Sequence, residues 1–235
     1  MIDGEELLKE AESLKQELIE KRRYLHKNAE TGFELTNTLK FVESELINMG
    51  YEPIRCGKAG IIVIAGGKKQ GKTFLIRGDM DALPIREESG LDFASNNGCM
   101  HACGHDMHTA MMLGAAKLLK KHESEINGTV KLMFQSAEEI FEGSNDMIKN
   151  GVLENPKVDA ALMIHVMSNS PFRAGSAIVS SPGVSAPAAD YFEIKVQGKR
   201  VPWFNVKYRS RPYQCLSTYS NCITRNKFKR TFTYR

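Results

Sequence analysis

No run of about 18 apolar residues occurs in the 235-residue chain, so no segment offers the length of apolar helix that a bilayer crossing needs. The opening MIDGEELLKEAESLK has no basic stretch leading into an apolar one. It does not read as a secretion signal, and the expected location is the cytoplasm. Regular cysteine spacing is missing too. Cys56, Cys99, Cys103, Cys215 and Cys222 are odd in number and irregularly placed, which suits ligand, reactive or buried thiols better than disulfides. Tryptophan occurs once, and acidic residues are absent from residues 199–235, which hold ten Lys and Arg. That local absence accounts for the whole net charge of +4, because the first 198 residues carry 22 basic against 28 acidic side chains. The overall charge therefore says nothing general about partners.

What is present suffices for a folded body. At 42% hydrophobic content the chain can bury a full-sized core. Leu7, Ala11, Leu14 and Leu18 recur at helical spacing, and a second helix is expected from Thr36 or Asn37, with Leu39, Val42 and Leu46 inward and Gly50 past its end. Two apolar runs, GIIVIAGG at 60–67 and TFLIRGD at 73–79, read as strands joined by the turn-like KKQGK. A helix at 107–121, a strand at 129–135, a helical piece at 145–150 and a strand at 158–166 follow. This alternation predicts an α/β fold, a mostly parallel sheet sandwiched by helices. The chain turns near Ser181-Pro182-Gly183, and DYFEIKVQG at 190–198 alternates as a half-buried strand should, the expected start of a second, α+β domain.

Four segments carry chemistry. In MHACGHDMHTA at 100–110, Cys103 and His105 stand two apart, with His101 and His108 flanking. Thiolate and imidazole are the common ligands of zinc and its neighbours, and a pair at that spacing in a glycine-containing loop can aim at one point. Cys99, His101 and His108 read as supporting residues, and Asp106, Met107 and His108 are expected to begin a helix. In FQSAEE at 134–139 a strand is expected to end in adjacent carboxylates, Glu138 and Glu139. An extended backbone sends neighbouring side chains in opposite directions, so one Glu can bind metal while the other faces water. His165, in ALMIHV, occupies an equivalent strand end, although a lone histidine there more often has a structural role. In RGDMDALPI at 77–85, Asp79 and Asp81 lie on one side if the strand continues, where they could orient histidines or bind metal as outer partners.

Together these segments, with RRYLHKNAETGFE at 22–34, resemble the amidohydrolase branch of the M20 peptidase family, in the same order and as far as about Gly198. The resemblance implies that Cys103, His105, Glu139 and His165 bind two divalent metal ions, zinc, manganese, cobalt or nickel. It implies Glu138 as general acid/base and Asp81 as a catalytic support behind the site. The expected reaction is hydrolysis of a small N-acyl amino acid by a metal-activated water, and a homodimer is expected for full-length members.

Residues 1–185 are thus the expected N-terminal part of a catalytic domain and residues 186–198 the first strand of a lid. Residues 199–235, with no sustained apolar periodicity, depart from the family pattern. Permitted codons from Arg200 onward, read one nucleotide later, restore a histidine loop, a DPI tripeptide and an amphipathic helix. A frameshift near codon 199 or 200 follows, with an impaired enzyme as the expected product. Two other readings are a non-catalytic metal-binding remnant and a nucleic-acid binder that uses the basic, aromatic-bearing tail.

Overall fold

The computed structural model describes residues 3–168 and 170–183. The chain divides into two compact units, Met1–Pro171 and Phe172–Arg235. The first unit runs α1 (Gly4–Ser13), α2 (Lys15–Lys27), α3 (Thr36–Asn48), β1 (Ile54–Cys56), β2 (Gly60–Gly66), β3 (Thr73–Asp79), α4 (His105–Lys121), β4 (Thr129–Gln135), α5 (Gly143–Lys149) and β5 (Ala160–Met163). In the second unit the described residues hold no helix or strand, only a turn closed by Ser176 N–H on the Arg173 carbonyl. The expected strand at 190–198, the lid segment 186–198 and the tail 199–235 lie outside the described residues. No helix among the described residues is long and apolar enough to cross a membrane.

The sheet order is β1-β2-β4-β3-β5. β3 pairs in parallel with β4 and β5, whereas β1–β2 and β2–β4 are antiparallel. The α/β fold is present, and its parallel part is the half formed by β4, β3 and β5. Between β3 and β4 the chain crosses through α4, the usual connection of parallel neighbours. Gly78 permits the contact, since a β-carbon there would meet Met112 Cγ of α4 at 2.5 Å.

Each element follows from its sequence. Asp3 caps α1 by accepting from Glu5 N–H at 3.2 Å. The single helical run expected through Leu18 is interrupted at Leu14, which divides α1 from α2. For α3 the cap comes from a distance: the Glu30 carboxylate accepts from Asn37 and Thr38 N–H at 3.0 and 2.8 Å. Leu39, Val42 and Leu46 face inward as expected. They meet Ile61, Val63 and Ala65 of β2, Leu132 and Phe134 of β4, and Met112, Leu113 and Ala116 of α4 in one core. A smaller core of Cys56, Leu75, Met133, Met147 and Val152 covers the other face. Burying each large side chain contributes roughly 1.5–3 kcal/mol. Strands covered on both faces explain the unbroken apolar runs.

Lys131 is the charged exception inside β4, only 1% exposed. Its ammonium donates to the Val152, Glu154 and Pro156 carbonyls at 2.9, 2.8 and 3.0 Å and so fastens the loop before β5. β5 itself is shorter than the 158–166 expected. Among the described residues it pairs only with Phe74–Arg77 of β3 and forms the sheet edge, so none of them holds residues 164–166 in the ladder.

Candidate metal centre

Three segments leave the same end of the parallel half: the chain after Asp79, the chain after Gln135, and the chain after Met163. Open α/β sheets bind ligands outside such carboxyl ends. A fourth segment, the start of α4, is aimed at the same place by Gly104. Its φ of 88° is left-handed, and a β-carbon on it would meet Val166 Cγ2 at 2.5 Å. The helix begins at His105 rather than Asp106, so its first residue lies in the site.

His105 organises the cluster. Its Nδ1 lies 2.8 Å from the Asp81 carbonyl, which can only accept; Nδ1 therefore carries the proton and Nε2 presents a lone pair. That Nε2 is buried and has no hydrogen-bond partner. Around it stand Glu138 Oε2 at 3.8 Å, Glu139 Oε1 at 3.8 Å and Asp79 Oδ1 at 3.7 Å. Cys103 Sγ and His165 Nε2 approach to 3.4 Å, and the His105 and His165 rings meet edge to face at 5.8 Å. Cys103, His105 and His165 can offer ligand atoms within 4.8 Å of one another, and so can His105, Glu138 and Glu139. The structure thus brings together Cys103, His105, Glu138, Glu139 and His165, with Asp81 behind them.

The local geometry of the glutamates differs from the expectation. They do not end a strand: β4 stops at Gln135, and Glu138 and Glu139 sit in a turn after Ala137, whose φ of 54° reverses the chain. Alternation along an extended backbone therefore does not separate their roles. Asp81 holds the turn, its two carboxylate oxygens accepting from Glu138 N–H at 2.9 Å and Glu139 N–H at 3.1 Å. Both glutamates consequently face His105. His165 likewise lies beyond β5 rather than in it.

Asp79 and His108 are a second tier whose connections the sequence did not disclose. His108 Nδ1 lies 2.5 Å from Asp79 Oδ1, and Val166 N–H donates to His108 Nε2 at 2.9 Å. With both nitrogens engaged, His108 fixes the residue next to His165. Asp79, His105 and His108 also have ligand atoms within 4.8 Å of one another, but in this arrangement the His108 lone pair is taken by a peptide N–H. The signal is the i, i+2 pair Asp79 and Asp81; the partner of Asp79, His108, lies 29 residues further along, and that of His108, Val166, another 58, and neither connection is visible in the sequence.

Charge at the site calls for a cation. Burial, reinforced by the Glu139, Glu138 and Asp79 charges, pushes the Cys103 thiol up to about 11. Burial likewise raises the Glu139 carboxyl. Burial would raise Asp79 as well, but the His108 hydrogen bond and the Arg77 and His105 charges hold it down to about 2. His105 is raised: the Asp81 and Asp79 carboxylates outweigh burial, which acts to lower it. His101 is buried with both ring nitrogens unpartnered, and burial lowers it to about 4, so it is neutral. An orphaned imidazole lone pair, an orphaned buried carboxylate oxygen of Glu139 and a thiol kept from ionising are what a divalent cation would satisfy together. The donor set fits the metal ions expected from sequence.

Residues 75–221 match the sequence pattern of peptidase family M20/M25/M40. An N-acyl-L-amino acid amidohydrolase of Geobacillus stearothermophilus is 40% identical over 199 residues, which cover 83% of this chain and 52% of that protein. An N-acetyl-L-cysteine deacetylase of Bacillus subtilis is 38% identical over 190 residues, covering 80% and 44%. The crystal structure of the Bacillus subtilis YXEP protein, a dinuclear metal binding peptidase from the M20 family, superposes with a TM-score of 0.64 at 38% identity, covering 67% of this chain and 44% of that one. The chain spans about half the length of these curated relatives.

Proposed function

The chain belongs to peptidase family M20/M25/M40, and on that premise we propose that its site serves hydrolysis of the amide bond of small N-acyl amino acids. The observation that carries this reading is the unpartnered His105 Nε2, with two glutamates at 3.8 Å and the Cys103–His165 contact beside it. Cys103, His105, Glu139 and His165 would hold two divalent ions, zinc, manganese, cobalt or nickel. Bound there, such ions lower the pKa of a water and polarise an amide carbonyl.

The chain's own residues supply the rest. Glu138 is the more open glutamate, its side chain 31% exposed against 16% for Glu139. We assign it the proton transfer, from the attacking water to the departing amine. Asp81 fixes the Glu138–Glu139 turn through its two amide contacts, and its carbonyl fixes the His105 tautomer. The relatives whose names specify N-acyl-L-amino acids and N-acetyl-L-cysteine point to the substrate class.

The test is release of free amino acid from a panel of N-acyl amino acids, with zinc, manganese or cobalt added and bound metal counted in parallel. Both the 235-residue chain and the protein restored in the shifted frame after codon 199 are assayed. Metal-dependent turnover by either chain supports the assignment. Metal uptake with no turnover by either supports a metal-binding protein without catalysis, and no uptake by either overturns the site.

A further inference from the structure

The segment RRYLHKNAETGFE at 22–34 bears none of the assigned ligands, yet it touches every segment that does except the one after β5. Arg22 and His26, one turn apart on α2, both reach Asp106, the residue after His105. Arg22 Nε donates to Asp106 Oδ2 at 2.6 Å, and His26 Nδ1 to the same oxygen at 2.8 Å. His26 Nε2 donates to Glu87 Oε1 at 3.0 Å. Carboxylates only accept, so His26 gives a proton from each nitrogen and is an imidazolium bridging two carboxylates whose side chains are fully buried. Glu87 belongs to the long loop that leads to Cys103, and its second oxygen accepts from Ser95 N–H at 2.7 Å. The Arg22 and Arg23 guanidiniums lie 5.0 and 4.9 Å from the Phe93 ring of that loop.

Beyond α2 the backbone continues the contact. Ala82, next to Asp81, donates to the Glu30 carbonyl at 2.7 Å, and Ala137, next to Glu138, donates to the Gly32 carbonyl at 3.0 Å. Asn97 Nδ2 donates to the Ala29 carbonyl at 2.7 Å, while its Oδ1 receives Cys99 N–H at 3.1 Å. Three lines of support therefore end one or a few residues from Cys103 and His105, from Asp81, and from Glu138.

We propose that residues 22–32 form a brace for the metal centre, in which Arg22 and His26 are positioning residues that set the Cys103–His105 limb through Asp106 and Glu87. This rests on the ligand assignment made under Proposed function. Charge pairing explains why the brace works at this depth. Two cations and two carboxylates balance, and removal of one leaves a buried charge unpaired, which moves the backbone that carries it. Ligands must be held within about half an ångström of their working geometry, so a shift at Asp106 is felt at His105.

The test is Co(II) titration of the 235-residue chain, followed by the thiolate-to-cobalt absorption, assigned to Cys103 by its loss in Cys103→Ser. Wild type, His26→Leu, Arg22→Lys, the ligand variant His105→Ala and the remote variant Lys131→Met are compared, with folding checked by circular dichroism. Lys131→Met destabilises the body without touching the brace and should retain wild-type cobalt affinity. His26→Leu should bind Co(II) about tenfold more weakly, the lower end of the loss of an outer-shell partner, with a displaced or weakened thiolate band. Arg22→Lys, which keeps the charge, should fall between, and it decides the question if His26→Leu does not fold. Wild-type affinity and an unshifted band in the folded brace variants would overturn the brace. Absence of a thiolate band in the wild type, or its retention in His105→Ala, would instead overturn the ligand assignment.

Discussion

Replacement of Asp81 tests whether the glutamate turn is held by this carboxylate. Its two oxygens accept from Glu138 and Glu139 N–H at 2.9 and 3.1 Å, and the residue is fully buried. A hydrogen bond to a charged group contributes roughly 1.5–3 kcal/mol, so loss of both in Asp81→Ala would cost about 3–6 kcal/mol. Removal of a buried charge returns part of its desolvation cost, which places the expectation near the lower end, about 3 kcal/mol. Asp81→Asn keeps one acceptor but turns an amide NH2 toward a peptide N–H, and about 2 kcal/mol is expected. These are large fractions of a total stability on the order of 5–15 kcal/mol.

The assay is urea unfolding of the chain with a chelator present, so that no metal contributes. With a slope of about 2 kcal/mol/M, Asp81→Asn should lower the midpoint by about 1 M. A second titration with metal present separates support from ligation. If Asp81 acts from behind, both variants lose chelator-resistant stability and also bind metal more weakly. An unchanged midpoint in chelator, combined with lost metal binding, would make Asp81 a direct ligand and refute the reasoning.

In the frame-restored protein, Glu138→Gln should lose at least about a hundredfold in turnover while retaining its metal, because acid/base catalysis typically supplies that much. Glu139→Gln should instead weaken metal binding; the reverse pattern, read by metal content beside turnover, would exchange the two roles. The Asp106 hydrogen bond, joined by Glu87 and opposed by burial, raises His26. A raised histidine contributes stability fully below its unfolded value near 6.5 and loses it as pH climbs through the folded value. The urea midpoint of wild type minus that of His26→Leu should therefore shrink as pH rises above about 6.5, and a flat difference would contradict the ion pair. With the Cys103 thiol at about 11 in the metal-free chain, metal uptake at neutral pH should release about one proton from it, measured by calorimetry in buffers of different ionisation enthalpy. Cys103→Ser should bind metal more weakly and without that release.

What the sequence disclosed were local signals. The strands 73–79 and 129–135 follow to the residue from short, largely apolar runs, the first entered from Lys72 and the second set between Gly128 and Ser136. The inward face of α3 followed from periodicity, and the clustering of donor side chains in MHACGHDMHTA and FQSAEE showed which types of group the site contains. β1 was missed: three residues at an edge, two of them exposed, carry no period to detect. The antiparallel placement of β2 against β4 was equally hidden, since two apolar strands do not declare their direction.

What stayed hidden has one physical cause. Each connection that gives the site its shape joins residues far apart in the chain: Asp81 to Glu138, His108 to Val166, His26 to Asp106, 57, 58 and 80 residues apart. Such contacts follow from topology and leave no periodic trace. The same fact separates two kinds of residue at the site. Prospective ligands were legible because their type alone suits a cation. A holder such as His26 was not, because a histidine acquires that role only through its partner; for Asp79 the sequence suggests the orienting role but not that His108 is the histidine it orients. The roles of Glu138 and Glu139 fall between. Their types were read correctly as carboxylates, but the expected alternation fails because a left-handed Ala137 turns the chain before them. Since both carboxylates lie 3.8 Å from the same imidazole nitrogen, distance from His105 does not distinguish acid/base from ligand. The proposed distinction rests on exposure: Glu138 is the more open of the two, 31% against 16%, which suits the proton transfer proposed for it.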